Sequence, residues 1–207
     1  MLQYRRIVQE SARRIADAAT RTVDDYIADE VEEETDFTSE MLGRMKESMQ
    51  GFHIRGVRWT AKTLTSHRPN AQETEFGADF IGVVSFDFPD YKVSKGFLAQ
   101  AKRIEPGDYI RGDDWERMVT QCKNMLSITP ESFVFLYSYS TITIAPASAI
   151  VSARRRCNPH EFYSRTITRF YEDHFECFVG DLHIDSADIK TLERLRARHS
   201  IELEARE

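Results

Sequence analysis

Three polar side chains that could do chemistry together lie at one end of a pair of apolar segments. Asp79 opens the first segment, 79–86, while Gln100 and Lys102 close the second, 96–102. A Phe-Pro-Asp turn separates the segments, which predicts an antiparallel hairpin. Alternate strand residues face the same side, and the start of the first strand lies beside the end of the second. A carboxylate, an amide and an ammonium group are therefore expected to meet at one strand end.

These groups suit the binding of a divalent cation and a phosphate. Mg²⁺ prefers oxygen ligands and needs only one or two carboxylates from the protein, and Asp79 supplies one. Gln100 offers an uncharged amide oxygen, so more of the metal's charge must be met elsewhere, and Glu75 at the strand entrance is the nearest acidic candidate. Lys102 would stabilise negative charge on a phosphate. The structural alternative for Lys102 is a strand-end lysine that extends into solvent.

The order of these residues resembles a known nuclease family. A Gly-Ala-Asp segment ending at Asp79, a hairpin, and a Gln-Ala-Lys segment ending at Lys102 resemble the PD-(D/E)xK superfamily. The variant is the Mrr-like, restriction-endonuclease-like one, in which glutamine replaces the acidic residue of the last triplet. The resemblance covers 73–103, and more loosely 38–150. It implies a metal-dependent phosphodiesterase that uses Mg²⁺, for which Mn²⁺ can substitute.

The resemblance also suggests two helical contributors to the site. Relatives often supply a metal-binding glutamate from the helix before the first strand, a position that Glu40 occupies in this sequence, although a helical wheel places Glu40 opposite the buried methionines. Relatives often place a glutamine or lysine on the helix after the hairpin, which makes Gln121 a candidate. The alternative for Gln121 is an ordinary surface glutamine.

Basic residues near the predicted site could contact phosphates. Arg103 follows Lys102, and a run of arginines includes Arg154 and Arg155. Such a run is also typical of a solvated turn or of a contact with an acidic partner. No helix-turn-helix, zinc-finger or aromatic stacking motif is evident. Sequence-specific recognition by this chain alone is therefore not predicted.

The hydrophobic periodicity predicts one α/β domain over 1–207, in the order helix, three strands, helix, strands, with a mixed sheet flanked by helices. The resemblance implies that this order is a restriction-endonuclease-like core. We expect an N-terminal helical extension at 1–37, a catalytic core at 38–150 and a C-terminal helical part at 151–207. The extension is expected to be helical to residue 34 and interrupted at 35–39. Further predicted elements are a helix to residue 50, strands at 56–65, 133–137 and 141–145, and helices at 113–128, 160–178 and 186–200.

Composition limits the possible classes of protein. The 207 residues carry a net charge of −6, an awkward value for a protein that binds nucleic acid. The first 50 residues hold twelve acidic and seven basic side chains, so most of the excess lies in the N-terminal helices. No apolar run is long enough to span a membrane, and the N-terminus lacks a signal sequence. These features predict a cytoplasmic protein that does not enter membranes.

Three functions remain open from the sequence. The first is a Mg²⁺-dependent endonuclease that cuts double-stranded DNA in restriction or anti-phage defence, with RNA not excluded as substrate. Targeting would come from homo-oligomerisation or from a regulatory subunit. The second is a catalytically inactive nuclease fold that serves in assembly or nucleic-acid binding. The third is a structural partner protein whose polar hairpin residues form a buried hydrogen-bond network.

Overall fold

Eight strands form one sheet in a computed structural model of the chain, which describes residues 4–27, 34–66, 78–110, 112–153 and 158–207. The helices are α1 (Arg5–Ile27), α2 (Glu34–Met49), α3 (Gly112–Leu126), α4 (Ala147–Ser152), α5 (Ile167–Phe175) and α6 (Ile189–Leu195). The strands are β1 (His53–Ile54), β2 (Val57–Thr65), β3 (Ala78–Phe88), β4 (Tyr91–Arg103), β5 (Ser132–Tyr137), β6 (Ile142–Pro146), β7 (Arg165–Thr166) and β8 (Ala197–Arg206).

The sheet is mixed, as the sequence predicts. Its strand order is β1-β2-β8-β3-β4-β5-β6-β7. Strand β3 runs antiparallel to β4 and parallel to β8, and β4 runs parallel to β5 through the crossover helix α3. The prediction of an α/β protein with helices flanking a mixed sheet is therefore confirmed.

Each face of the sheet is covered by its own set of helices. Residues of α1, α2 and α5 pack with alternate residues of the central strands, such as Phe80 and Phe97, in one core cluster. Residues of α3, α4 and α6 pack with the intervening residues, such as Ile81 and Leu98, in the other. We call these the α2 face and the α3 face. Within the described ranges, no helix is both long enough and apolar enough to cross a lipid bilayer.

The central hairpin β3–β4 forms as predicted. Its register runs from the pair Phe80 and Ala99 to the pair Phe88 and Tyr91, which leaves a two-residue turn. Gly82 lies opposite Phe97, whose ring occupies the space that a β-carbon on residue 82 would enter. The absence of a side chain at residue 82 thus lets a buried aromatic ring pack against the strand.

The prediction of a wholly helical C-terminal part is wrong. Helix α6 covers only Ile189–Leu195, and Arg196 then adopts a left-handed backbone conformation. The chain continues as β8, which inserts between β2 and β3. Residues 201–205 alternate between apolar and acidic side chains, so they suit a strand with one face on the core.

The predicted interruption at 35–39 is also wrong, because α2 already begins at Glu34. Phe37 is buried inside this segment and stacks on Tyr137 of β5, with ring centroids 3.8 Å apart and planes 5° apart. This contact attaches the first turn of α2 to the sheet. Tertiary packing thus keeps the segment helical despite its polar composition.

Candidate active site

Asp79, Gln100 and Lys102 lie together at one end of the hairpin. Continuing the β3–β4 register by one residue places Asp79 opposite Gln100. Because side chains alternate along a strand, all three residues share the α3 face with Ile81 and Leu98. The structure thus brings the carboxylate of Asp79 and the amide group of Gln100 into contact and places Lys102 on the same face of the sheet.

Two donors from β4 hold the carboxylate of Asp79. The side-chain Nε2 of Gln100 donates a hydrogen bond to Oδ2 of Asp79 at 2.5 Å. The backbone N–H of Ala101 donates to the same oxygen at 2.8 Å. Two donors on one oxygen fix the orientation of the carboxylate.

The amide oxygen of Gln100 is buried and lacks a hydrogen-bond partner among the described residues. The side chain is 2% exposed, so water does not readily solvate this atom. A buried acceptor without a partner costs about 1–3 kcal/mol. A cation or an ordered water would remove that cost, and an amide oxygen is a ligand type that Mg²⁺ accepts.

Lys102 lies between this pair of residues and helix α3. Burial raises the pKa of the Cys122 thiol on α3 to about 12, and the nearby Lys102 ammonium acts in the opposite direction. Lys102 also lines a pocket together with Asp114 and Arg117 of α3. The ammonium group is therefore positioned between the hairpin and α3, close to an opening on the surface.

Gln121 lies on the flank of α3 that carries Asp114 and Arg117, at helical spacing from both residues. Its amide oxygen is buried and has no hydrogen-bond partner in the part of the chain that the structure describes. Helix α3 thus brings a second amide oxygen, also without a partner among the described residues, to the face that carries Gln100.

Arg198 of β8 is a site neighbour that the sequence analysis missed. The parallel register pairs Ala78 with Ala197 and Phe80 with His199, so Arg198 lies beside Asp79. It shares a face with Ser200, whose hydroxyl donates to a carbonyl within the α3-face core. The alternation of residues 201–205 was the available signal, because it indicates a strand, although it does not indicate the strands with which β8 pairs.

The structure does not bring Glu40 to this site. Glu40 accepts a 2.9 Å salt bridge from Arg44, one turn further along α2. Helix α2 packs through Met41 and Met45 on the α2 face, whereas Asp79 and Gln100 lie on the α3 face. The exposure that the helical wheel predicts for Glu40 is confirmed, but its salt bridge directs the carboxylate to another part of the surface.

Of the remaining predicted site residues, one lines the pocket and three lie outside the described residues. Arg103 lines the pocket beside Lys102, whereas Glu75, Arg154 and Arg155 lie outside the described residues. In the described ranges, no group of three or more histidine, cysteine, aspartate or glutamate side chains could hold a metal ion. Among the described residues, Asp79 is therefore accompanied by the amide group of Gln100 and not by further carboxylates.

Comparison of the chain with protein-family models, with curated protein sequences and with solved structures found no match.

Proposed function

We propose that this chain is a metal-dependent phosphodiesterase that hydrolyses nucleic acid, acting as an endonuclease on double-stranded DNA. The observation that supports it best is the Asp79–Gln100 hydrogen bond on the face that carries Lys102, together with the Gln100 oxygen, which has no hydrogen-bond partner in the described ranges. Asp79, the Gln100 oxygen and Lys102 would provide an anionic ligand, a neutral oxygen ligand and a cation. Each of these groups has a separate role in phosphoryl chemistry.

The proposed roles follow from the chemistry of each group. Asp79 and the Gln100 oxygen would hold the divalent cation, which when bound supplies charge neutralisation and an activated water. Lys102 would donate hydrogen bonds to the phosphate and stabilise its growing negative charge. Arg198, beside Asp79 on β8, would hold the phosphate on the other side.

The order and pairing of the central strands and helices also support the proposal. The hairpin β3–β4, the crossover helix α3 and the parallel strand β5 are proposed to form a restriction-endonuclease-like core. Under this proposal β8 is an addition that completes the sheet and supplies Arg198. Action in restriction or anti-phage defence, through homo-oligomers or a targeting subunit, belongs to the same proposal.

Cleavage of a supercoiled plasmid tests this function. The wild type is incubated with Mg²⁺, Mn²⁺ or EDTA, beside Lys102→Ala and the control Lys92→Ala. Lys92 lies at the opposite end of β4 and pairs with Asp87 on the surface. The proposal predicts nicking or linearisation that requires metal and is lost only in Lys102→Ala. Equal cleavage by the two variants would exclude the proposed role of Lys102.

A second candidate is a catalytically inactive nuclease fold that binds nucleic acid or assembles with a partner. It is favoured by the lack, among the described residues, of a cluster of three metal-binding side chains. Nucleic-acid binding that persists in EDTA, with no plasmid cleavage in Mg²⁺ or Mn²⁺, would identify this function. Metal-dependent cleavage that is lost in Lys102→Ala would exclude it.

A further inference from the structure

A pocket of about 560 Å³ opens beside Lys102 and extends along the N-terminal half of α3. We call it the tyrosine pocket; its lining includes Lys102, Arg103, Glu105, Tyr109, Arg117 and Tyr139. Its volume lies within the range of small-molecule sites. Of the three proposed catalytic residues, Lys102 lines the tyrosine pocket, and it lies at one edge.

Two exposed aromatic side chains line the tyrosine pocket. Tyr109 is 53% exposed and Tyr139 is 48% exposed, so both rings present a large area to a ligand. Glu105 holds the main chain at one of these residues, because both of its carboxylate oxygens accept from the backbone N–H of Tyr139 at 3.2 Å. Exposed aromatic rings beside cationic groups are the usual stacking surfaces for unpaired bases.

The described lining of the tyrosine pocket holds three basic and three acidic side chains, an arrangement that suits contact with one phosphate group and not with several. Lys102, Arg103 and Arg117 supply positive charge, and Arg117 forms no salt bridge with any residue that the structure describes. Asp108 and Asp114 also line the pocket, and their carboxylates would repel a closely spaced row of phosphates. The same carboxylates can accept hydrogen bonds from base amino groups or sugar hydroxyls.

We propose that the tyrosine pocket binds one unpaired nucleotide of the substrate. The base stacks on Tyr109 and Tyr139, and its phosphate contacts Arg117 and Lys102. This inference rests on the proposed function, because it places the bound nucleotide next to the phosphodiester that Lys102 contacts. It narrows the proposed duplex substrate to DNA with a single-stranded or locally opened segment, such as an unwound region of a supercoiled plasmid.

Fluorescence anisotropy tests the inference without cleavage. Labelled oligonucleotides of one sequence are prepared as single-stranded DNA, single-stranded RNA and blunt duplex DNA, and titrated in EDTA at one salt concentration. The single strands are expected to bind more tightly than the duplex. Tyr109→Ala and Tyr139→Ala should each weaken single-strand binding by between about 5-fold and about 100-fold. Comparison of single-stranded DNA with single-stranded RNA shows which sugar the pocket accepts.

Phe178→Ala is the matched control, since Phe178 is 75% exposed and follows Cys177, whose carbonyl accepts from Lys95 near the start of β4. Tyrosine variants that bind like Phe178→Ala, or a blunt duplex that binds as tightly as the single strands, would overturn the inference. Those results would not contradict metal-dependent plasmid cleavage, which is tested separately. Conversely, tyrosine-dependent binding without any cleavage would support the pocket and reject the phosphodiesterase.

Discussion

The amide group of Gln100 donates a 2.5 Å hydrogen bond to Oδ2 of Asp79, which turns its own oxygen away from that carboxylate. That oxygen is buried and has no hydrogen-bond partner among the described residues. The two side chains thus form one unit, in which the nitrogen of the amide orients the acid and the oxygen remains available as a ligand. The predictions below test what this unit and its surroundings do.

Replacing Gln100 with glutamate should create a metal-dependent stability defect. The new carboxylate would lie at the position from which Nε2 contacts Asp79, and two adjacent carboxylates raise the pKa of the pair. The loss of stability should therefore grow as the pH rises above about 4, where the unfolded carboxyl groups ionise.

Thermal unfolding of Gln100→Glu and wild type measures this effect in EDTA and in Mg²⁺. The deficit should be large in EDTA at pH 7 and should shrink in Mg²⁺, because a bound cation neutralises both carboxylates. A deficit of equal size in EDTA and Mg²⁺ would show that no cation binds between residues 79 and 100.

Gln121→Met should separate stability from activity. Replacing a buried acceptor that lacks a partner by an apolar side chain of similar shape should leave stability unchanged or raise it by about 1 kcal/mol. Cleavage should fall if the Gln121 oxygen faces the substrate or the metal. Asn124→Met, on the exposed side of α3, is the control for both measurements. Unchanged cleavage in Gln121→Met would remove Gln121 from the site.

The central hairpin should tolerate no side chain at residue 82. A β-carbon on Gly82 would lie 2.3 Å from the ring of Phe97, which is fully buried. Gly82→Ala is expected to destabilise the protein by about 1–3 kcal/mol. Gly43→Ala in α2 has open space around it and should stabilise by about 1 kcal/mol. Urea denaturation that ranks the two variants in the reverse order would contradict the described packing.

A buried histidine should make stability depend on pH. Burial lowers the pKa of His174 to about 4, with a further decrease from the charge of Lys95, while its hydrogen bond to the Val179 carbonyl acts in the opposite direction. Below the ordinary pKa of 6.5, the unfolded chain binds a proton that the folded chain excludes. Stability should therefore fall by about 2–3 kcal/mol as the pH decreases from 7 to 4.

Urea denaturation at several pH values measures this dependence. His174→Gln should have a flatter profile between pH 7 and 4. His53→Gln should keep the wild-type profile, because the His53 side chain is exposed. An unchanged slope in His174→Gln would mean that other groups account for the acid sensitivity.

The hairpin and its three polar residues were predictable because their determinants are local. Alternation of residues sets which side chains share a face, and a short turn sets the register. Together these features place Asp79 opposite Gln100 and put Lys102 on the same face. No knowledge of distant segments was needed for that conclusion.

Arg198 was not predictable in the same way. Only Arg196 separates α6 from β8, so the two elements resemble one amphipathic segment in the sequence. The insertion of β8 between β2 and β3 depends on pairing across more than 100 residues, which a local pattern does not reveal. The position of Glu40 was not predictable for a similar reason. A helical wheel shows that its side chain is exposed, but it does not show which face of the sheet α2 covers.

Binding of Mn²⁺, followed by electron paramagnetic resonance, tests the central claim most directly. The wild type is compared with Asp79→Ala and with Asp87→Ala, which removes an exposed acid from the other end of β3. The proposed site predicts one bound Mn²⁺ in the wild type and in Asp87→Ala, and its loss in Asp79→Ala. Equal binding by Asp79→Ala, or no binding by the wild type, would contradict a metal site at Asp79 and Gln100.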